Sequence, residues 1–312
     1  MARRKSKRGP LDYAKSPWLI GFGLITFILL YAPIAQLIAF SFNDSKRNIV
    51  WRGFTTKYYA KAWNDPALVE AFVNSITIAV MCTMVATIIG TATALWLWRF
   101  RFPAKSAAEG VMALPIVIPE ICMGVAVLVM YSRFGSWMRG VETGPLHWLN
   151  EFWAIWPPLN LEAFTIARIW NEFFSVWPLN LGAITAAHIA FSFPFVAVVV
   201  RARLAGFNRE FEEASKDLGA SEWQTFWNVV LPFMMPGVIA GALLSFTLSL
   251  DDFVITFFTA GPETNTFPVK VYSLVRRGVS PDINAASTVL IVITLVATII
   301  AMRMQAPSKT EG

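Results

Sequence analysis

Long apolar stretches separated by short charged clusters dominate this chain. Six can be drawn, over residues 18–42, 71–98, 111–132, 181–200, 231–250 and 283–302. Each is about as long as the roughly 20 apolar residues that a helix needs to cross a bilayer. The first, second and fifth carry no charge. The third holds Glu120 with Pro115 and Pro119, and the fourth holds His188 and Pro194. Prolines are tolerated inside a span where neighbouring groups satisfy the freed carbonyls. They mark kinks, and so point to a pathway rather than a lipid-facing rod. The pattern predicts an all-α membrane protein with six transmembrane helices.

Composition agrees. Of 312 residues, 56% are hydrophobic and 15% charged, against about 25% charged in soluble domains. A soluble enzyme would not need several such stretches. The net charge of +6 does not indicate nucleic acid, because the basic residues flank apolar spans. Cys82 and Cys122 both lie inside apolar runs, which argues against a disulfide framework or a metal site. Arg3, Arg4, Lys5, Lys7 and Arg8 precede the first run as in a signal peptide. That run is too long for one and shows no cleavage site, so it is read as a retained helix. With the N-terminus inside, the inner segments hold 15 Lys and Arg and the outer ones 11. The positive-inside rule then places both termini in the cytoplasm.

The expected organisation is a basic cytoplasmic N-terminus (1–17), a transmembrane domain (18–302) and a cytoplasmic tail (303–312). Within the domain, the stretch 137–180 is an outer, tryptophan-rich insertion. It holds six of the thirteen tryptophans, a residue that favours the membrane interface. It also repeats itself: Asn150-Glu151-Phe152 returns as Asn171-Glu172-Phe173, and Trp156-Pro157 as Trp177-Pro178. It reads as a membrane-lying spacer or as a docking surface for an outer partner.

The inner segment 209–232 carries the densest local signals. Glu210, Glu212 and Glu213 fall in a first helical turn, where acids complement the dipole. Phe211, Ala214 and Leu218 share one face. Gly219 suits a C-terminal cap. Ser221 and Gln224 form a capping box, and Trp223, Phe226, Trp227 and Val230 follow as an apolar stripe. This is a helix, a break and a second helix. It fits a short element offered to a partner's groove or an ordinary helical hairpin.

Here a resemblance enters. Glu213-Ala214-Ser215, then Gly219, then Val229 and Leu231-Pro232 resemble a motif of permease subunits of bacterial ATP-binding-cassette importers. That motif runs Glu-Ala-Ala, three residues, Gly, nine residues, Ile, one residue, Leu-Pro. Ser215 replaces the second alanine and Val229 the isoleucine, with the spacing kept. Further residues are similar to the spermidine/putrescine permeases: Ser249-Leu250-Asp251-Asp252-Phe253, Gly261-Pro262, Pro268 to Ser273, Arg277 to Pro281, Leu114-Pro115 to Pro119-Glu120, and His188 to Pro194. The stretch 137–177 departs from that likeness. The resemblance implies a type I importer permease fold. It also implies that Glu213, Ala214, Ser215, Leu218 and Gly219 couple the chain to an ATPase. The implied partners are two ATPase subunits carrying ATP and Mg, a second permease and a periplasmic substrate-binding protein. No phosphate-cradling Gly-x-x-x-x-Gly-Lys-Ser/Thr occurs in the sequence, so this subunit is expected to be a transport component, neither an enzyme nor a cofactor binder.

Ionisable residues at membrane depth are costly and usually face a cavity. Glu120, Asp251 and Asp252, with Ser249 as a neutral hydrogen-bonding group, are therefore the candidate pathway for an ammonium-bearing cargo. Adjacent residues point about 100° apart on a helix, so at most one of Asp251 and Asp252 should face a single pathway. Trp51 and Trp137 are interface anchors or cation–π contacts. His188 reads as a packing or hydrogen-bonding group. Within the same architecture the alternative cargo is another amino-acid-like cation or iron. Outside it the alternatives are a self-contained secondary carrier or channel and a non-transporting scaffold.

Overall fold

The computed structural model describes residues 17–45, 50–143, 179–261, 264–276 and 281–305. The described secondary structure is helical, apart from one isolated bridge between Asn43 and Phe54. The chain divides into two compact units, Met1–Asn64 with Leu274–Ile291, and Asp65–Ser273 with Val292–Gly312.

In the first unit, α1 (Pro17–Ser41) is apolar all round and none of its membrane-length window is buried. A helix with no polar face has no soluble solution unless something apolar covers it. Its C-terminal turn is tied down locally. The Asn43 side chain donates to the Val50 carbonyl at 2.9 Å and accepts from the Arg52 amide at 2.8 Å. From α2 (Lys57–Trp63), the Tyr58 hydroxyl donates to the Ser45 carbonyl at 2.7 Å, and Lys61 pairs with Asp282 at 3.1 Å.

The second unit contains α3 (Pro66–Arg99), α4 (Lys105–Val117), α5 (Glu120–Thr143), α6 (Leu181–Leu204), α7 (Glu210–Asp217), α8 (Glu222–Thr225), a π turn (Phe226–Val230), α9 (Leu231–Asp251), α10 (Val254–Thr259) and α11 (Phe267–Val275). Asp65 caps α3 through the amides of Ala67 and Leu68, with Pro66 in the first turn, where its missing N–H costs nothing. Helices α3, α6 and α9 form the core, with Leu97, Val196, Val200 and Met234 almost wholly buried. Val196 sits between two glycines. A Cβ at Gly90 would lie 2.7 Å from it, and one at Gly241 would lie 2.9 Å from it. Small residues let helix backbones approach, as in other membrane interfaces.

Among the described residues, four helices are long and apolar enough to cross a membrane: Trp18–Ser41, Pro66–Arg99, Leu181–Leu204 and Glu222–Asp251. The expected third span is not one continuous helix. It is the pair α4 and α5, bent by 106°. The break follows from Pro119, which has no N–H and excludes its predecessor from the helical region. Ile118 accordingly takes an extended φ of −71° and ψ of 132°. Pro115, by contrast, stays inside α4. The expected sixth span falls on α12 (Pro281–Gln305), a helix of 25 residues whose Pro281–Val296 part is apolar. Most of the 137–180 insertion lies outside the described residues.

Candidate functional site

The helix-break-helix of the 209–232 segment forms through its own sequence. The Gly219 amide donates to the Lys216 carbonyl at 2.8 Å and the Ala220 amide to the Ser215 carbonyl at 3.1 Å. That pair of bonds is the Schellman closure, and it requires a left-handed residue. Gly219 supplies it with φ of +86°. The capping box is present in both directions, Gln224 amide to Ser221 hydroxyl at 3.2 Å and Ser221 amide to Gln224 side chain at 2.8 Å. The Ser215 and Thr225 hydroxyls meet at 3.1 Å and join the two helices. Thus Ser215, at the position of the motif's second alanine, has a bonding partner.

The orientation of α7 is the less expected result. Its apolar residues are not turned into the chain. Phe211 is 60% exposed and Leu218 89%, with Ala214, Glu213 and Gly219 also exposed. Trp223 at 69% and Trp227 at 50% continue the uncovered surface. What α7 buries is Glu212, which Arg99 at the end of α3 engages directly. The other Arg99 nitrogen reaches Glu222 at 3.2 Å, and Lys216 also pairs with Glu222. The helix from Glu222 to Asp251 has 30 residues, and Glu222 precedes its uncharged apolar run over 231–250. Lys216 beside it holds the Glu222 carboxyl below the usual carboxylate range.

Arg99 is thus the brace of the loop. No spacing rule links it to residues more than a hundred positions away, and the sequence offered only its place at the end of an apolar span. Arg99→Ala should destabilise the subunit by about 2–3 kcal/mol, below the full range for a broken buried pair because Arg99 is partly exposed. Thermal unfolding in detergent measures this. Glu222→Ala, at an exposed site, should leave the midpoint unchanged.

The four candidate pathway residues separate into two pairs. Ser249 and Asp252 are buried. The Asp252 carboxylate accepts from the Thr256 amide at 2.8 Å, from the Ile255 amide at 3.3 Å and from the Thr256 hydroxyl at 2.9 Å. His188 Nε2 lies 3.2 Å from the same carboxylate, and His188 Nδ1 lies 2.8 Å from the Ser249 hydroxyl. Ser249 and Asp252, expected on the pathway, are therefore held in a closed network. His188 and Thr256 complete it; a lone ionisable side chain in a span was the only signal for the first. Asp251 and Glu120 are exposed. Among the described residues neither has an ion-pair partner. The Pro119 break makes this possible, because it places Glu120 in the first turn of α5 instead of mid-helix. Helix α5 packs on α10, where Gly124 admits the Phe258 ring at a distance no Cβ would allow. Trp51 stands edge-on to Phe40, and the Trp137 side chain lies outside the described residues.

Residues 86–307 match the family model described as "Binding-protein-dependent transport system inner membrane component". The chain belongs to this family. It is similar over nearly its whole length to the spermidine/putrescine transport system permease protein PotC of Escherichia coli (strain K12), with 38% identity over 94% of this chain and 95% of that one. The putrescine transport system permease protein PotI of the same strain is 36% identical over 90% of this chain and 88% of its own. Among solved structures, a bacterial ABC transporter involved in import of the acidic polysaccharide alginate superposes with a TM-score of 0.63. That match covers 96% of this chain and 98% of the other at 16% identity, and so it bears on the fold alone. As an inner-membrane component of such a system, the chain is a membrane-embedded transport subunit.

Proposed function

We propose that this chain is the permease subunit of an ATP-driven importer that moves a polyamine from periplasm to cytoplasm by alternating access. The observation that carries the reading is the near full-length similarity to two permeases named for spermidine and putrescine. In this reading six helices span the membrane, both termini are cytoplasmic, and the 209–232 loop faces the cytoplasm. A second permease, a periplasmic binding protein and two ATPase subunits complete the machine, with ATP and Mg held on the ATPases. The uncovered side of α7 supports an ATPase contact: a short helix with exposed Phe211 and Leu218, stiffened at Gly219, suits a partner's groove.

Cargo would meet Asp251 and Glu120. Both are exposed carboxylates with no ion-pair partner among the described residues, the chemistry that a dispersed ammonium cargo needs. Ser249 and Asp252 support that site from behind. Uptake of labelled putrescine, spermidine, amino acids and ferric ion into vesicles holding the assembled importer tests the reading. ATP-dependent, binding-protein-dependent accumulation of a polyamine is the expected result. No polyamine accumulation would end the cargo assignment, and accumulation without ATP would favour a self-contained carrier.

A further inference from the structure

Helix α9 stops at Asp251, and α10 starts at Val254, with Asp252 extended between them at φ of −62° and ψ of 125°. A helix broken at membrane depth leaves backbone groups that need new partners. Asp252 answers this for α10, because its carboxylate takes the amides of Ile255 and Thr256. A capping carboxylate in a buried place is itself expensive unless it is well bonded. The remaining donor is the Thr256 hydroxyl, and His188 reaches in from α6 to lie 2.9 Å from that hydroxyl and 3.2 Å from the carboxylate.

The hydrogen-bond pattern constrains His188. The Thr256 hydroxyl gives its proton to Asp252, so Nε2, 2.9 Å from that hydroxyl oxygen, carries a proton and donates to it. Nδ1 then accepts from the Ser249 hydroxyl on α9. One imidazole therefore ties the last turn of α9 to the first turn of α10 across their break. His188 is 2% exposed and Thr256 wholly buried. The apolar contact of α10 with α6 is separate from this ring, made by Ala187, Phe191 and Ile255.

We propose that His188 is a positioning residue for transport: it fixes the α9–α10 break and so aims Asp251. Asp252 spends its acceptor capacity inside the ring and is unavailable to cargo. Asp251, its neighbour at the helix end, points elsewhere and is exposed. The direction of Asp251 depends on where α9 ends, and the ring decides that. The proposal rests on the reading of Asp251 as a pathway acid for its importance, but its geometry can be tested without any cargo.

The test uses the importer assembled with its partners in proteoliposomes. Asp251→Cys is introduced with Cys122→Ser, leaving only the buried Cys82. The rate of modification at position 251 by a cationic methanethiosulfonate is measured with His188 and with each of three replacements. A glutamine amide reaches the Nε2 position and keeps the donor to the Thr256 hydroxyl. An asparagine amide reaches only the Nδ1 position. His188→Ala and His188→Asn should change the rate by about ten-fold, the population shift expected when a buried polar group loses its hydrogen-bond partner. His188→Gln should stay near the parent. Equal rates for the parent and His188→Ala, or equal rates for the Asn and Gln variants, would overturn the proposal. If the alanine variant does not assemble, the Asn–Gln comparison decides. Asp251→Asn with unaltered uptake would remove Asp251 from the pathway while leaving the labelling result intact, so the two readings fail separately.

Discussion

Asp251→Asn should lower polyamine uptake about 10- to 100-fold while the importer still assembles. Asparagine keeps the size and loses the charge. A hydrogen bond to a charged group contributes about 1.5–3 kcal/mol, and each 1.4 kcal/mol is a factor of ten. The side chain is exposed in this chain, so removing its charge leaves no buried partner stranded and the fold should tolerate it. Glu120→Gln should act in the same direction. Asp252→Asn should behave differently. It removes charge from a buried ring in which three donors bind the carboxylate, so its main effect should be on assembly. Uptake kinetics together with the amount of assembled complex separate these outcomes. Unchanged uptake in the Asp251 and Glu120 variants would take both out of the pathway.

Leu218→Asp should abolish capture of the ATPase subunits and leave the permease folded. Leu218 is 89% exposed, and a surface substitution there should shift stability by no more than about 0.5 kcal/mol. An interface anchor is worth about 2 kcal/mol or more, so association should weaken about 30-fold or more. Phe211→Asp should add to the loss. Replacing Glu213 and Gly219 together tests the same element through its shape, because any side chain at Gly219 must enter the left-handed region. Co-purification with the ATPases and the ratio of uptake to ATP hydrolysis measure both. Normal association and coupling in all three variants would remove the docking assignment.

The elements of this second surface were legible because their determinants are local. The Gly219 closure, the Ser221–Gln224 box and the acidic first turn each depend on residues within six positions of one another. The side of α7 that would be buried was not legible in the same way. Periodicity marks an apolar face, and the ordinary inference turns that face inward. Here Arg99, from a distant helix end, takes Glu212 instead and leaves Phe211 and Leu218 outside. The Pro119 break shows the intermediate case. The sequence marks a kink there but not its size, 106°.

Apolar length, proline and glycine placement, and one spaced motif determined the class of this protein: a helical membrane subunit with a structured loop between its fourth and fifth expected spans. These are short-range properties, set by the bilayer's thickness and by backbone geometry. Tertiary structure alone decided which carboxylates are available. Asp251 and Asp252 are chemically identical neighbours; the helix break makes Asp252 the cap of α10 through the Ile255 and Thr256 amides, His188 packs against it from another helix, and Asp251 stays exposed. A charge at membrane depth takes its role from its partners, and folding brings together His188 and Ser249, 61 residues apart.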